Sequence, residues 1–350
     1  MINVGIAGIG FMGWIHYLAY QRVENIRLAA IATRDPKKRG GDWRGIVGNF
    51  GPQGEQVDLS GVDAYEQVGE MLANPDIDLI DICLPPHLHV EVGLAALNAG
   101  KHVFCEKPLA LTVDGCQQLV DAAASNGKLL MAGHVLPFFP EYTRARQIID
   151  SGEYGKLLGG TFKRVISDPT WLSDFFDPDR VGGPLVDLHV HDAHLIRMLF
   201  GMPKQVACQG RFKGKVVEYC HSMFAFDDPN LVVGATSGVI NQQGRPFTHG
   251  FEIHLERATL HYEFAAFADA AELMPLKILT ADGKVIRPEL GTGDDIAGFV
   301  SEIEEVANAV NSGKPSPILS GELARDAIVL CHKQTASARL GGQPVSISGK

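Results

Sequence analysis

Short apolar runs alternate with amphipathic stretches through the first third of the chain. Runs at 2–7, 28–32, 79–84, 102–105 and 129–132 read as buried strands, too short for helices and rich in β-branched residues. Between them, helical spacing predicts helices over 12–23, 89–98 and 112–126, the last with Thr112 as cap and Gly127 as stop. Strands alternating with helices through short connections predict a parallel sheet covered on both faces. Residues 37–60 break the pattern: Gly40, Gly41, Gly45, Gly48, Gly51 and Gly54 lie among charges, which reads as an insertion or mobile loop. From about residue 156 strand-like segments follow one another, over 157–166, 206–209, 218–226, 231–239, 247–255 and 259–264. One helix, 186–199, interrupts them before Gly201 and Pro203, and two more, 294–311 and 321–338, close the chain. No repeat or low-complexity segment appears. The pattern implies an α/β nucleotide-binding domain over 1–134, then an α+β domain over 135–350 with a large open, mostly antiparallel sheet.

Charge and composition narrow the function. The chain has 350 residues, 45% of them hydrophobic, with 31 Lys and Arg against 41 Asp and Glu, a net charge of −10. An acidic chain without a basic run argues against nucleic acid or an anionic membrane as partner. Apolar residues never run uninterrupted for the roughly 18 that a membrane span needs, and no leader pattern opens the sequence. The six cysteines form no Cys-x-x-Cys pair and several sit in apolar runs. That usage suits a reducing cytoplasm, the expected location.

Gly8-Ile9-Gly10-Phe11-Met12-Gly13 directly follows the first strand and opens the first helix. That context turns a weak Gly-x-Gly-x-x-Gly pattern into a dinucleotide fingerprint. Gly8 serves the tight turn, Gly10 the approach of a pyrophosphate, and Gly13 the packing of helix on strand. Selectivity is read at the end of the second strand, where an acid holds the ribose 2′-OH and an arginine tolerates a 2′-phosphate. Here Thr33 stands at the acid's place and Arg34 follows, with Lys37 and Lys38 beyond. NAD or NADP is therefore the expected cofactor, with NADP tolerated or preferred. The alternatives are an exposed basic turn, or a two-residue slip that gives the ribose to Asp35.

Glu106-Lys107-Pro108 ends another buried strand, at the sheet edge where ligands of doubly wound folds sit. A lysine there can hold a substrate hydroxyl or carry a proton. With this element the sequence resembles the Gfo/Idh/MocA oxidoreductases. The resemblance rests on the glycine loop, Cys83-Leu84-Pro85-Pro86-His87-Leu88-His89, Cys105-Glu106-Lys107-Pro108-Leu109-Ala110, Gly133-His134, and the segment from Gly182-Gly183-Pro184 through Asp187 and His191 to Asp192. It implies a Rossmann domain followed by an open-sheet domain that forms homodimers or homotetramers. It further implies hydride transfer between NAD(P) and one carbinol carbon of a sugar, inositol or related polyol. By the same resemblance Lys107, Asp187 and His191 are catalytic. Leu84, Pro85, Pro86, His89 and Glu106 lie at the cofactor, with Phe11 and Met12 of the glycine loop. His189 and His194 depart from the family pattern, leaving the substrate open. An NAD-dependent glycoside-cleaving enzyme working through a transient ketone, and a non-catalytic cofactor-binding regulator, are the competing classes.

On a helix, positions 187, 191 and 194 fall within about 60° of one another, so Asp187, His191 and His194 form one polar stripe, with His189 and Asp192 on the other side. His191 as base with an acid one turn away makes a proton-transfer pair. A strand here would instead put His189 and His191 on one face as zinc ligands. The apolar residues after it keep helical spacing, so no metal is expected. His134, Trp171 and His194 are weaker substrate candidates, the tryptophan as a stacking surface for a sugar.

Overall fold

The computed structural model describes residues 1–291 and 293–347. They divide into two compact units. The first is Met1–Phe138 with Gly293–Arg325, and the second holds the remaining described residues.

In chain order the first unit contains β1 (Ile2–Ala7), α1 (Phe11–Tyr20), β2 (Ile26–Ala32), α2 (Pro36–Arg39), β3 (Asp63–Tyr65) and α3 (Val68–Leu72). It continues with β4 (Leu79–Ile82), α4 (His89–Asn98), β5 (His102–Glu106), α5 (Val113–Asn126) and β6 (Leu130–Gly133). The strands form one sheet in the order β3-β2-β1-β4-β5-β6, every pair parallel. The order reverses between β1 and β4, which places the ligand crevice at their carboxyl ends. The predicted caps of α5 are present: Thr112 Oγ1 accepts from Gly115 N–H at 3.0 Å, and Gly127 takes a left-handed φ of 61° that favours glycine.

The second unit begins with α6 (Pro140–Ser151) and β7 (Leu157–Ser167). A π turn at Leu185–His189 leads into α7 (Val190–Phe200). Then come β8 (Gln205–Lys213), β9 (Val216–Ala225), β10 (Val232–Ile240), β11 (Phe247–Leu255), β12 (Ala258–Ala266), β13 (Ala271–Thr280) and β14 (Val285–Ile286). The chain, passing back through the first unit, closes with α8 (Ala297–Ser312), α9 (Gly321–Arg339) and β15 (Val345–Ser346). The nine-stranded sheet runs β14-β13-β12-β11-β7-β10-β9-β8-β15, antiparallel except where β10 joins β7. The fold class expected from the sequence is the one observed. Helix α8 belongs to the first unit, where it packs on α1.

The glycine-rich segment read as an insertion or mobile loop is firmly seated in the first unit. Trp43, Ile46 and Val57 are buried, and Trp14 Nε1 donates to Pro52 O at 2.8 Å. Phe50 stacks on Phe299 at 5.4 Å and meets Phe11 edge-on at 4.8 Å. Its glycines allow close approach: a Cβ on Gly54 would lie 2.1 Å from Trp43 O. No described helix is long and apolar enough to cross a membrane.

Candidate active site

Strand β1 delivers the chain into Gly8, whose φ of 99° and 2.8 Å clearance from a hypothetical Cβ to Cys83 O admit glycine alone. A Cβ on Gly13 would lie 2.3 Å from Gly8 O, so α1 rests directly on the loop. Gly10 differs, because a Cβ there would meet nothing within 4 Å. Helix α1 starts at Gly10 with neither a side-chain cap nor an acid in its first turn. Its leading N–H groups and positive dipole end are thus available to an anion, and a dinucleotide pyrophosphate fits them. Phe11 offers backbone only, since its ring packs against Gly48 and Phe50.

Beside the loop opens a cavity of about 820 Å³, lined among others by Gly8, Thr33, Arg34, Glu66 and Leu84. Asp35 also lines it, but its Oδ1 accepts from Lys37 N–H at 2.9 Å as the cap of α2. Thr33 is fixed by its backbone, donating to Tyr65 O at 3.0 Å and accepting from Arg39 at 2.8 Å. Arg39 also pairs with Glu66 at 3.1 Å. Arg34 is exposed at the rim. Lys38 Nζ donates to Ile9 O at 2.6 Å, which brings a second cation onto the glycine loop.

Where β4 and β5 end, His89 clips two turns together. Its Nδ1 lies 2.8 Å from Pro108 O and its Nε2 2.7 Å from Leu84 O. Burial holds its pKa below the usual range, against the pull of those two carbonyls. The resemblance puts His89 at the cofactor; in the structure its ring joins the Leu84-Pro85 and Glu106-Lys107-Pro108 turns. Lys107 is half-buried in its turn, and its N–H donates to Glu106 Oε2 at 3.1 Å. Glu106 Oε1 faces His16 Nε2 at 3.1 Å, so the carboxylate turns into the protein. His134 follows β6 and is 1% exposed.

In the second unit the π turn alters the phase assumed for a regular helix. Asp187 lies within it, and the polar stripe divides: Asp187 and His191 are half-buried, while His194 is fully buried. His189 and Asp192, read as lying on the other side, are buried as well. His189 Nε2 lies 2.9 Å from Gln334 Nε2, and Asp192 takes Arg164 in two contacts of 2.7 and 3.3 Å. That pair anchors α7 to β7. Trp171 is 66% exposed in a turn. Because the segment is helical, His189 and His191 do not share a strand face, and the zinc arrangement lacks its geometry. Dialysis against a chelator is therefore expected to leave activity unchanged. One tightly bound zinc per chain, lost together with activity, would reverse that.

Buried polar groups in the first unit escaped the sequence reading. His16 faces inward from α1, three residues after Gly13, and Asp81 interrupts the apolar run of β4. The polar residue inside a buried strand was the available signal. His16, Asp81 and Cys83 bring ligand-type atoms within 4.8 Å of one another. The imidazole nevertheless faces carboxylates with both nitrogens, Asp81 at 2.8 Å and Glu106 at 3.1 Å. Donating to both needs the doubly protonated ring, which has no lone pair for a metal.

A parallel sheet in this order, with an uncapped glycine helix start and a cavity at the switch point, defines a dinucleotide-binding protein. Residues 2–134 match the family described as an oxidoreductase family with an NAD-binding Rossmann fold, and residues 142–261 match the GFO/IDH/MocA C-terminal domain. The chain belongs to the Gfo/Idh/MocA oxidoreductase family. A levoglucosan dehydrogenase of Pseudarthrobacter phenanthrenivorans is 32% identical over 57% of this chain and 51% of its own length. An inositol 2-dehydrogenase of Ralstonia nicotianae is 26% identical over 73% and 71%. The match thus spans about half the length of the first of these curated relatives. A solved levoglucosan dehydrogenase in complex with NADH and L-sorbose shares the fold, with a TM-score of 0.80 at 22% identity over 100% of this chain and 99% of its own.

Proposed function

We propose that the protein is an NAD(P)-dependent dehydrogenase or reductase acting on one carbinol carbon of a sugar, inositol or related polyol. The observation that carries this is Lys107 at the carboxyl end of β5, in the same unit as an open, uncapped Gly10 helix start. The relatives named for levoglucosan and inositol supply the substrate class. Gly8, Gly10 and Gly13 with the backbone of Phe11 and Met12 would hold the pyrophosphate, and Thr33 and Arg34 the adenosine ribose. When bound, the cofactor supplies the nicotinamide that exchanges hydride with the substrate. Lys107 is proposed to hydrogen-bond and polarise a substrate oxygen, and Asp187 and His191 are the positions that the family pattern assigns to orientation and proton transfer. His134, Trp171 and His194 are not assigned substrate contacts. The test is a panel of sugars, polyols and glycosides with NAD⁺ and NADP⁺, followed at the nicotinamide absorbance. Reduction with at least one member supports the reading. Glycoside cleavage without net reduction would replace it.

Arg34 favours NADP(H). An exposed guanidinium contacting a phosphate contributes about 1.5 kcal/mol, the low end for charged hydrogen bonds. Arg34→Ala is expected to weaken NADPH about tenfold and leave NADH nearly unchanged, while Thr33→Asp shifts preference toward NADH. Titration by nicotinamide fluorescence checks both, and wild type binding only NADH would refute the assignment. The oligomer expected from the family fits the outer face of the nine-stranded sheet, where Met223 and Val232 are 65% and 64% exposed. A homodimer or homotetramer through that face is proposed. The six cysteines, all free thiols, favour a cytoplasmic setting.

A further inference from the structure

His16 lies fully buried on α1 between two carboxylates from two different strands. Its Nδ1 is 2.8 Å from Asp81 Oδ2 and its Nε2 is 3.1 Å from Glu106 Oε1. Only an imidazolium donates to both. Asp81 is itself held from behind, because the Tyr20 hydroxyl donates to its Oδ2 at 3.0 Å and the Cys83 thiol to its Oδ1 at 3.5 Å. Glu106 is confined on its other sides. Its Oε2 takes the Lys107 N–H, and a Cβ on Gly133 would stand 2.8 Å from its Oε1. One unbroken chain of hydrogen bonds therefore runs from Tyr20 through Asp81, His16 and Glu106 to the Lys107 backbone.

We infer that His16, backed by Asp81, is a positioning residue that locks the Glu106 carboxylate and through it the turn presenting Lys107. This rests on the proposed role of Lys107.

Charge balance agrees with the geometry. Burying an unpaired carboxylate costs several kcal/mol, so a carboxylate in this cluster needs a cationic partner. His16 is that cation: burial lowers its pKa, yet Asp81 and then Cys83, whose Sγ lies 3.4 Å from its Nδ1, together more than offset this and hold it well above the usual value. A third acid, Glu302 of α8, faces the same cluster, and both its oxygens lack a hydrogen-bond partner in the structure. Burial, then repulsion from Glu106 and Asp81, pushes Glu302 well above the usual carboxyl range, with His16 opposing. Phe104 stacks on the His16 ring at 5.4 Å and Phe299 lies at 6.2 Å, completing an apolar wall.

The test uses the full chain as wild type, His16→Gln, Asp81→Asn and Glu302→Gln. Histidine-labelled NMR is expected to show one wild-type imidazolium that keeps its proton at a pH where an ordinary histidine, with a reference value of about 6.5, has discharged. That signal is absent in His16→Gln and titrates at lower pH in Asp81→Asn. The Lys107 amide resonance moves upfield in His16→Gln and stays in place in Glu302→Gln, because Glu302 is no link in the hydrogen-bond chain to Lys107. With a substrate from the panel, His16→Gln is expected to lower kcat on the order of 10- to 100-fold, with KM and NAD(P)H affinity within about threefold. An alkaline fall in kcat is expected of wild type as His16 discharges, and is expected to be absent from His16→Gln. A neutral His16 at pH 7, or an unmoved Lys107 amide in a folded His16→Gln, overturns the inference. If wild type reduces no cofactor with any substrate, the functional reading fails, and the Lys107 amide still decides whether His16 holds that turn. Should His16→Gln not fold, Asp81→Asn carries the same two NMR readouts.

Discussion

Lys107→Ala is expected to lower turnover by about 10²-fold or more while leaving the fold intact. A group that polarises the reacting oxygen or moves its proton contributes on this scale, equivalent to about 2.7 kcal/mol of barrier. The fold should survive because the contact that shapes the turn uses the backbone: the Lys107 N–H donates to Glu106 Oε2, and alanine keeps that N–H. The side chain itself is half-buried and forms no part of the apolar core. Lys107→Arg is expected to recover only part of the loss, since a planar fork does not reproduce the point charge of an ammonium. Near-normal turnover in a folded Lys107→Ala protein would remove this residue from the chemistry.

The sequence carried the first unit well where one local rule dominated. Strand β1, helix α4 and the caps of α5 have the bounds expected, because continuous apolar runs and a Thr–Gly pair leave few alternatives. Elements that depend on long-range pairing were not legible. Strand β3 is three residues long and largely exposed, so no periodicity betrays it. Strand β13 contains Pro275, which reads as a breaker; the structure accommodates it where the pairing with β12 shifts between His261 and Glu263. Helix α6 was missed although Pro140 stands at its first position, where proline is well tolerated.

At the site, the glycine loop was read glycine by glycine because each one answers to a single steric demand. Arg34 and Lys38 show the limit of that method. Both were visible as cations after β2, but only the folded α2, capped by Asp35, turns Lys38 back onto Ile9 O. The His89 clip and the His16 bridge are pairings across strands, so neither spacing nor residue type announces them. The π turn at Asp187 is likewise set by packing: its Leu185, Val186, Leu188 and His189 are all buried, and no local sequence rule calls for the extra residue.

Trp43→Ala is expected to destabilise the first unit by about 3–5 kcal/mol, the range for deleting a large buried aromatic side chain. Trp43 is 0% exposed although it lies in the most glycine-rich stretch of the chain. Its ring meets Tyr17 at 5.0 Å and Trp14 at 6.0 Å, both edge-on, and its Nε1 donates to Lys38 O at 2.8 Å. Its backbone also organises the segment, donating to Glu55 O at 3.1 Å and accepting from Ile46 N–H at 2.9 Å. Alanine keeps those backbone bonds but leaves a cavity against α1 and removes the donor that holds the α2 end. Since Lys38 of that short helix reaches the glycine loop, NAD(P)H affinity should fall with stability. Val47→Ser, on the same segment but 71% exposed, should change stability by less than about 0.5 kcal/mol. Denaturant unfolding of the full chain and amide exchange across 41–57 measure both variants. A Trp43→Ala protein as stable as wild type, with unchanged exchange in that segment, would show that the glycine-rich stretch is only loosely held.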